Sequence, residues 1–156
     1  MIVARVTGAS APGAAEPVFD FLSQAEAAEL SAYLENRDWP AGSVLFQENE
    51  SVGPLGFLEQ GRLVVKKKVP EFPGKYVIVA VLERGAMVGE SAVADLGNHA
   101  STVVAMEDCR LLILSTEKLD LLLADNPRLG IKLLRRVVST LTRRLRMAGE
   151  RLTKLL

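Results

Sequence analysis

Between Trp39 and Leu114 turn residues cut the chain into short apolar runs, and this pattern narrows the fold more than any other feature. Ser43–Gln47, Gly56–Glu59, Arg62–Lys68, Tyr76–Leu82, Thr102–Ala105 and Arg110–Leu114 each have strand length and strand composition. Gly42, Gly53-Pro54, Gln60-Gly61, Pro73-Gly74, Arg84-Gly85 and Glu107-Asp108 punctuate them. Short strands at such spacing build an antiparallel sandwich or barrel. The turn at Gln60-Gly61 is expected to close a hairpin. Lys66, Lys67 and Lys68 are expected to form a solvated hairpin end.

Helical signals flank this region. Ser23 and Glu26 have the spacing of a capping box, and Ala27, Leu30, Tyr33 and Leu34 form an apolar stripe. They predict a helix over Ser23–Arg37, ended by the approach to Pro40. Ser115 is expected to cap a short helix, Thr116–Leu123. Asn126 is expected to cap the next, with Pro127 at its first position, where the missing N–H costs nothing. In that last helix Ile131, Leu134, Val138, Leu141, Leu145, Ala148, Leu152 and Leu155 are spaced alternately three and four residues apart. This is an a/d heptad seam. A second stripe, Leu129, Leu133 and Val137, lies beside it. One stripe can dock on the body and the other can pair with a second copy. Leu145 to Leu155 runs well beyond what a small barrel covers. The expected organisation is a flexible Ala/Gly/Pro-rich arm over 1–20, a body over 21–126 and the long helix over 127–156.

Composition excludes several classes. The net charge is zero, so no whole-protein attraction to nucleic acid or membrane is expected. Nine Lys/Arg and one acid, Glu150, fall within Arg128–Leu156, however, so a basic helix follows an acidic body. Cys109 is the only cysteine and His99 the only histidine. This argues against disulfides, metal sites and iron–sulfur clusters, and a haem on His99 has no further support. No apolar run reaches the roughly 20 residues of a membrane span, and no basic leader suggests a signal peptide. A cytoplasmic protein is expected.

One polar, glycine-rich stretch interrupts the strands, Gly85 to Ala105. Within it Val88-Gly89-Glu90-Ser91-Ala92 is followed, ten residues after Gly89, by His99-Ala100-Ser101-Thr102. Gly89 allows close backbone approach to an anion, Glu90 offers a carboxylate to a sugar hydroxyl, and Ser91, Ala100 and Ser101 are small. The stretch resembles the phosphate-binding cassette of the cyclic-nucleotide-binding domain family, found in bacterial catabolite activators, kinase regulatory subunits and nucleotide-gated channels. Ala41–Glu48 and Leu58–Val65 echo the family's opening strand and its strand–glycine–strand signature. Asn49 stands where the family often has glycine.

The resemblance implies an α+β fold: an antiparallel, jelly-roll-like β-roll flanked by an N-terminal helix and a long C-terminal dimerisation helix. It implies a non-enzymatic regulatory or sensor domain. The ligand phosphate would lie on Gly89, Glu90, Ser91, Ala100 and Ser101, with Glu90 on the ribose hydroxyl and Arg143 or Arg144 near the base. The sequence departs from the pattern at His99, which replaces the arginine that grips the phosphate. A guanidinium fork fits two phosphate oxygens with a permanent charge, and imidazole does not. Ala148 and Gly149 also stand where the catabolite activator's helix carries adenine-reading hydroxyls. Tight cAMP binding is therefore not expected. The candidate ligands are cAMP and cGMP, beside a pocket left empty or used for another anion, and no resident cofactor is expected. The implied partner is a second copy, paired in parallel through the last helix. The alternative is a relative of catabolite-activator-type transcriptional regulators without their helix-turn-helix. The chain to Leu156 has no residues for that motif, so DNA binding by it is not expected. Glu90, Ser91 and His99 do not form a catalytic constellation, since no nucleophile elbow precedes them.

Overall fold

The computed structural model describes residues 18–51, 53–94 and 97–156. The expected arm lies outside them except at its end. There Phe19 is buried and meets Phe57 edge-on with ring centroids 5.0 Å apart, so residues 18–20 belong to the body.

The elements run α1 Gln24–Ser31, β1 Glu35–Trp39, β2 Val44–Phe46, β3 Leu55–Gln60, β4 Leu63–Lys68, β5 Tyr76–Leu82, β6 Met87–Val88, α2 Ser91–Ala94, β7 Thr102–Ala105, β8 Cys109–Leu114, α3 Thr116–Asp125 and α4 Pro127–Leu155. The strands form two antiparallel four-stranded sheets, in the orders β1-β8-β3-β6 and β2-β7-β4-β5. This is the expected α+β roll.

The capping box at Ser23 and Glu26 is present. The helix it starts ends at Ser31, short of the expected Arg37. Glu35–Trp39 is instead an edge strand on β8, in register from Glu35 opposite Ile113 to Trp39 opposite Cys109. Ladder hydrogen bonds, with the Arg110–Asp38 ion pair at 2.9 Å, outweigh the helix-like polarity of this segment.

The expected hairpin at Gln60-Gly61 is also corrected. β3 pairs with β6 and β8, whereas β4 pairs with β5 and β7, so the chain crosses between sheets at Gly61. Gly61 has φ +90°, and a Cβ there would lie 2.5 Å from the Asp108 carbonyl oxygen. Only glycine passes that crossing. The β4–β5 hairpin does carry the three lysines, with Lys66 Nζ 4.3 Å from the Tyr76 ring centroid.

β3, β6 and β8 of the first sheet are buried along most of their length, and side-chain alternation divides them between two cores. Leu55, Phe57 and Leu114 face the helices, where Leu30, Leu119, Leu122, Leu129, Leu133 and Val137 join them. Leu58, Leu111 and Ile113 face the second sheet and meet Leu63, Leu82 and Val103. α4 thus docks through Leu129, Leu133 and Val137, the second stripe read from the sequence. Further ties fix its first half: Lys132 pairs with Glu26 at 2.6 Å, and Asn126 Nδ2 donates to Glu29 at 2.7 Å. Beyond Val137 the helix extends along the open side of the roll, with Leu141, Leu145, Leu152 and Leu155 exposed.

Candidate functional site

The docking of α4 leaves a cavity of about 310 Å³ between its inner face and the Gly85–Val103 stretch. Val65, Val79, Ala80, Leu82 and Val103 of the β strands give it an apolar floor. One wall is the polar stretch, through Gly89, Glu90, Ser91, Ala100 and Ser101. The opposite wall is α4, through Arg136, Thr140, Arg143, Arg144, Met147 and Arg151.

Gly89 makes the polar wall sterically feasible. Its φ is +73°, and a Cβ there would lie 2.3 Å from the Pro54 carbonyl oxygen and 3.3 Å from Phe46 Cζ. The backbone reverses here only because no side chain intervenes, and the four-residue α2 follows.

Glu90 is already engaged. Arg144 Nη1 donates to Glu90 Oε1, and Arg144 Nη2 donates to the Met87 carbonyl at 2.7 Å. Both side chains are partly buried, so this charge-assisted pair is screened less than a surface pair. It fastens the middle of α4 to the polar wall.

The structure brings together Gly89, Glu90, Ser91, Ala100, Ser101, Arg143 and Arg144 among the expected site residues. His99 does not line the cavity. Its ring stacks on Phe46, centroids 4.4 Å apart, and Gly53 N–H donates to its Nε2 at 3.2 Å. Asn49 N–H donates to the His99 carbonyl at 2.9 Å, and His99 N–H donates to the Glu50 carbonyl at 2.8 Å. The histidine stitches Asn49, Glu50 and Gly53 to the polar stretch. A neutral, flat imidazole suits this buried position, since its Nε2 accepts from the Gly53 N–H. Asn49 has φ +71°, a conformation asparagine tolerates, which explains its standing for glycine.

This geometry gives His99 a pH signature. Burial lowers its pKa from the ordinary 6.5, against the opposing pull of Glu50 and Glu90. The unfolded chain then takes up the proton more readily than the folded one. The stabilisation is complete above about pH 6.5 and is lost as the pH falls toward the lower folded value. Thermal unfolding from about pH 7.5 down to about pH 5 is expected to cost the native protein more than His99→Gln, which has no imidazole to protonate. Parallel losses in both would contradict the assigned role.

Sequence reasoning missed Arg136, Thr140, Met147 and Arg151. With Arg143 and Arg144 they are spaced 4, 3, 1, 3 and 4 residues apart, one face of a helix, so their periodicity carried the signal. Among the described residues no group of His, Cys, Asp and Glu is placed to hold a metal ion, and no helix is long and apolar enough to cross a membrane.

Residues 36–126 match the family model of the cyclic nucleotide-binding domain. A CRP-like cAMP-activated global transcriptional regulator of Mycobacterium tuberculosis is 25% identical over 139 residues, covering 89% of this chain and 59% of the regulator. The chain thus spans less than two thirds of that relative's length. Among solved structures, a cyclic nucleotide-binding domain from Methylobacillus flagellatus superposes with a TM-score of 0.79 at 27% identity, covering 86% of this chain and 75% of that one. Thermus thermophilus catabolite activator protein gives 0.74 at 27% identity, covering 90% and 63%.

Proposed function

The chain belongs to the cyclic nucleotide-binding domain family, and from that membership we propose that it is a non-enzymatic sensor whose ligand enters the cavity between the Gly89–Ser101 wall and α4. The observation that carries this reading is the convergence of Gly89, Glu90, Ser91, Ala100 and Ser101 on one side of an apolar-floored cavity and the arginine face of α4 on the other. In this reading backbone amides beside Gly89 and Ala100 receive the phosphate, the floor takes the base, and Glu90 takes a ribose hydroxyl. The arginines of α4 stand in for the cation that His99 does not supply. The cAMP-activated relative makes cAMP a natural first ligand to test.

The Arg144–Glu90 pair links occupancy to output. A ribose hydroxyl that claims Glu90 competes with Arg144, and the released guanidinium loosens α4 from the wall. That is a shift between two packings of one helix, a familiar switching device. Output then passes through the exposed seam from Ile131 to Leu155, by which two copies pair in parallel. A single cysteine, buried, suits a reducing compartment, and the reading places the protein in the cytoplasm.

Calorimetric titration of cAMP and cGMP into the native chain and into Glu90→Gln tests the proposal. Saturable binding is expected, weakened about tenfold in the variant, the worth of a hydrogen bond to a charged group. Affinity unchanged in Glu90→Gln, or absence of binding by cyclic mononucleotides and more highly charged nucleotides alike up to about millimolar ligand, a free energy near 4 kcal/mol, would overturn it.

The greater length of the curated relative favours a second reading, in which this domain is the ligand-sensing part of a longer transcriptional regulator. The intact mass of the protein from its native cell separates the two. A chain much longer than 156 residues supports the regulator, and one of this length contradicts it.

A further inference from the structure

We propose that the ligand of this cavity is a nucleotide carrying at least two negative charges, in preference to a singly charged cyclic mononucleotide. This rests on the reading of the cavity as a nucleotide site and narrows the ligand class.

Arg136, Arg143, Arg144 and Arg151 line the cavity, and Glu90 is the only acid among its described lining residues. Four positive charges against one leave an excess of three. Counting Asp20, which pairs with Arg136 at 3.1 Å, leaves two. The phosphate of a 3′,5′-cyclic mononucleotide carries one negative charge and leaves at least one arginine uncompensated. Arg143 and Arg144 are neighbours at the rim of an apolar floor, and a ligand that carries the missing negative charge itself is the complementary one.

The helix does not supply the compensation. Glu150 is its only acid beside nine Lys/Arg, and it is exposed. A second copy paired along α4 brings the same basic helix and adds cations. Arg143 has no hydrogen-bond or ion-pair partner among the described residues, unlike Arg144, which holds Glu90 and the Met87 carbonyl. Arg143 is therefore the cation available without breaking an existing contact.

Spacing points the same way. Arg136 and Arg151 are fifteen residues apart, or about 22 Å along an α-helix at its usual rise. One phosphate spans a few ångströms and reaches one or two of these guanidinium groups. Two phosphates at different places on the ligand reach more. The apolar floor argues against a bare polyphosphate, because Val65, Leu82 and Val103 offer contact to a base and nothing to inorganic anions.

Titration of cAMP, ADP and cyclic di-GMP into the full chain, at about 0.15 M and about 0.5 M salt, tests the proposal. ADP or cyclic di-GMP is expected to bind at least about tenfold tighter than cAMP, and to lose more affinity in high salt. The stronger of the two identifies a linear diphosphate or a cyclic dinucleotide as the source. Arg143→Gln is expected to weaken that ligand about tenfold and cAMP under about threefold. If cAMP binds as tightly as both ADP and cyclic di-GMP, the charge inference is overturned and the nucleotide reading stands. If none binds, both are overturned. Equal weakening of cAMP and the stronger ligand in Arg143→Gln would overturn the assignment of the second charge to Arg143.

Discussion

Replacing Gly89 by valine is expected to abolish ligand binding and to lower stability by about 3 kcal/mol, through left-handed strain on a β-branched residue plus overpacking. The native φ is +73°, and the new Cβ would stand 2.3 Å from the Pro54 carbonyl oxygen. That neighbour is backbone, so no side chain can swing aside. Relief requires Pro54 and Gly89 to separate, which pulls apart the loop at Pro54 and the polar wall of the cavity. Gly74 is the control. Its φ is +81°, but a Cβ there meets nothing within 4 Å. Gly74→Ala is expected to cost about 1 kcal/mol and to leave binding intact. Thermal denaturation with ligand titration reads both variants. A Gly89→Val protein that binds ligand normally would show that the close approach at Pro54 does not shape the site.

The second large effect concerns assembly. Leu141 and Leu145 are 43% and 75% exposed, and they continue a heptad seam that also leaves Ile131, Val138, Leu152 and Leu155 in solvent. Burying a leucine side chain is worth about 1.5–3 kcal/mol, and forcing an unpaired carboxylate into the same seam is worse. The native chain is expected to scatter light as a dimer, and Leu141→Glu combined with Leu145→Glu as a monomer. Both positions are exposed in the single chain, so its circular dichroism should not change. A dimer that persists would place the interface elsewhere, and a monomeric native chain would remove pairing from the account.

The regular strands and the cavity's polar wall were legible because each rests on local chemistry. Tyr76–Leu82 and Thr102–Ala105 fall where the sequence placed them, since their apolar runs end at turn residues. Gly89, Glu90, Ala100 and Ser101 could be found because the positions need particular residue types in a fixed order. β1 was not legible. Glu-Asn-Arg-Asp-Trp carries no apolar alternation, lies exposed at the sheet edge, and is a strand only because β8 offers it partners. β6, with two residues, is below the length at which a pattern exists. At Gly61 the local signal gave the turn correctly but could not say whether the next strand pairs back or crosses to another sheet. His99 and the arginine face show the same limit from the functional side. Sequence placed a histidine at a ligand position, and only packing against Phe46 reveals that it turns inward. The cations stand instead on α4, where the stronger apolar heptad masked a second, basic periodicity.

One measurement decides whether the cavity between the Gly89–Ser101 wall and α4 is a nucleotide site: backbone amide resonances followed during titration with cAMP, ADP and cyclic di-GMP. Saturable shifts are expected at Gly89, Glu90, Ala100 and Ser101, accompanied by changes along α4 around Arg143 and Arg144, while the buried His99 ring keeps its environment. Saturation without movement of those wall amides, or no saturable shift with any of the three nucleotides, would contradict it.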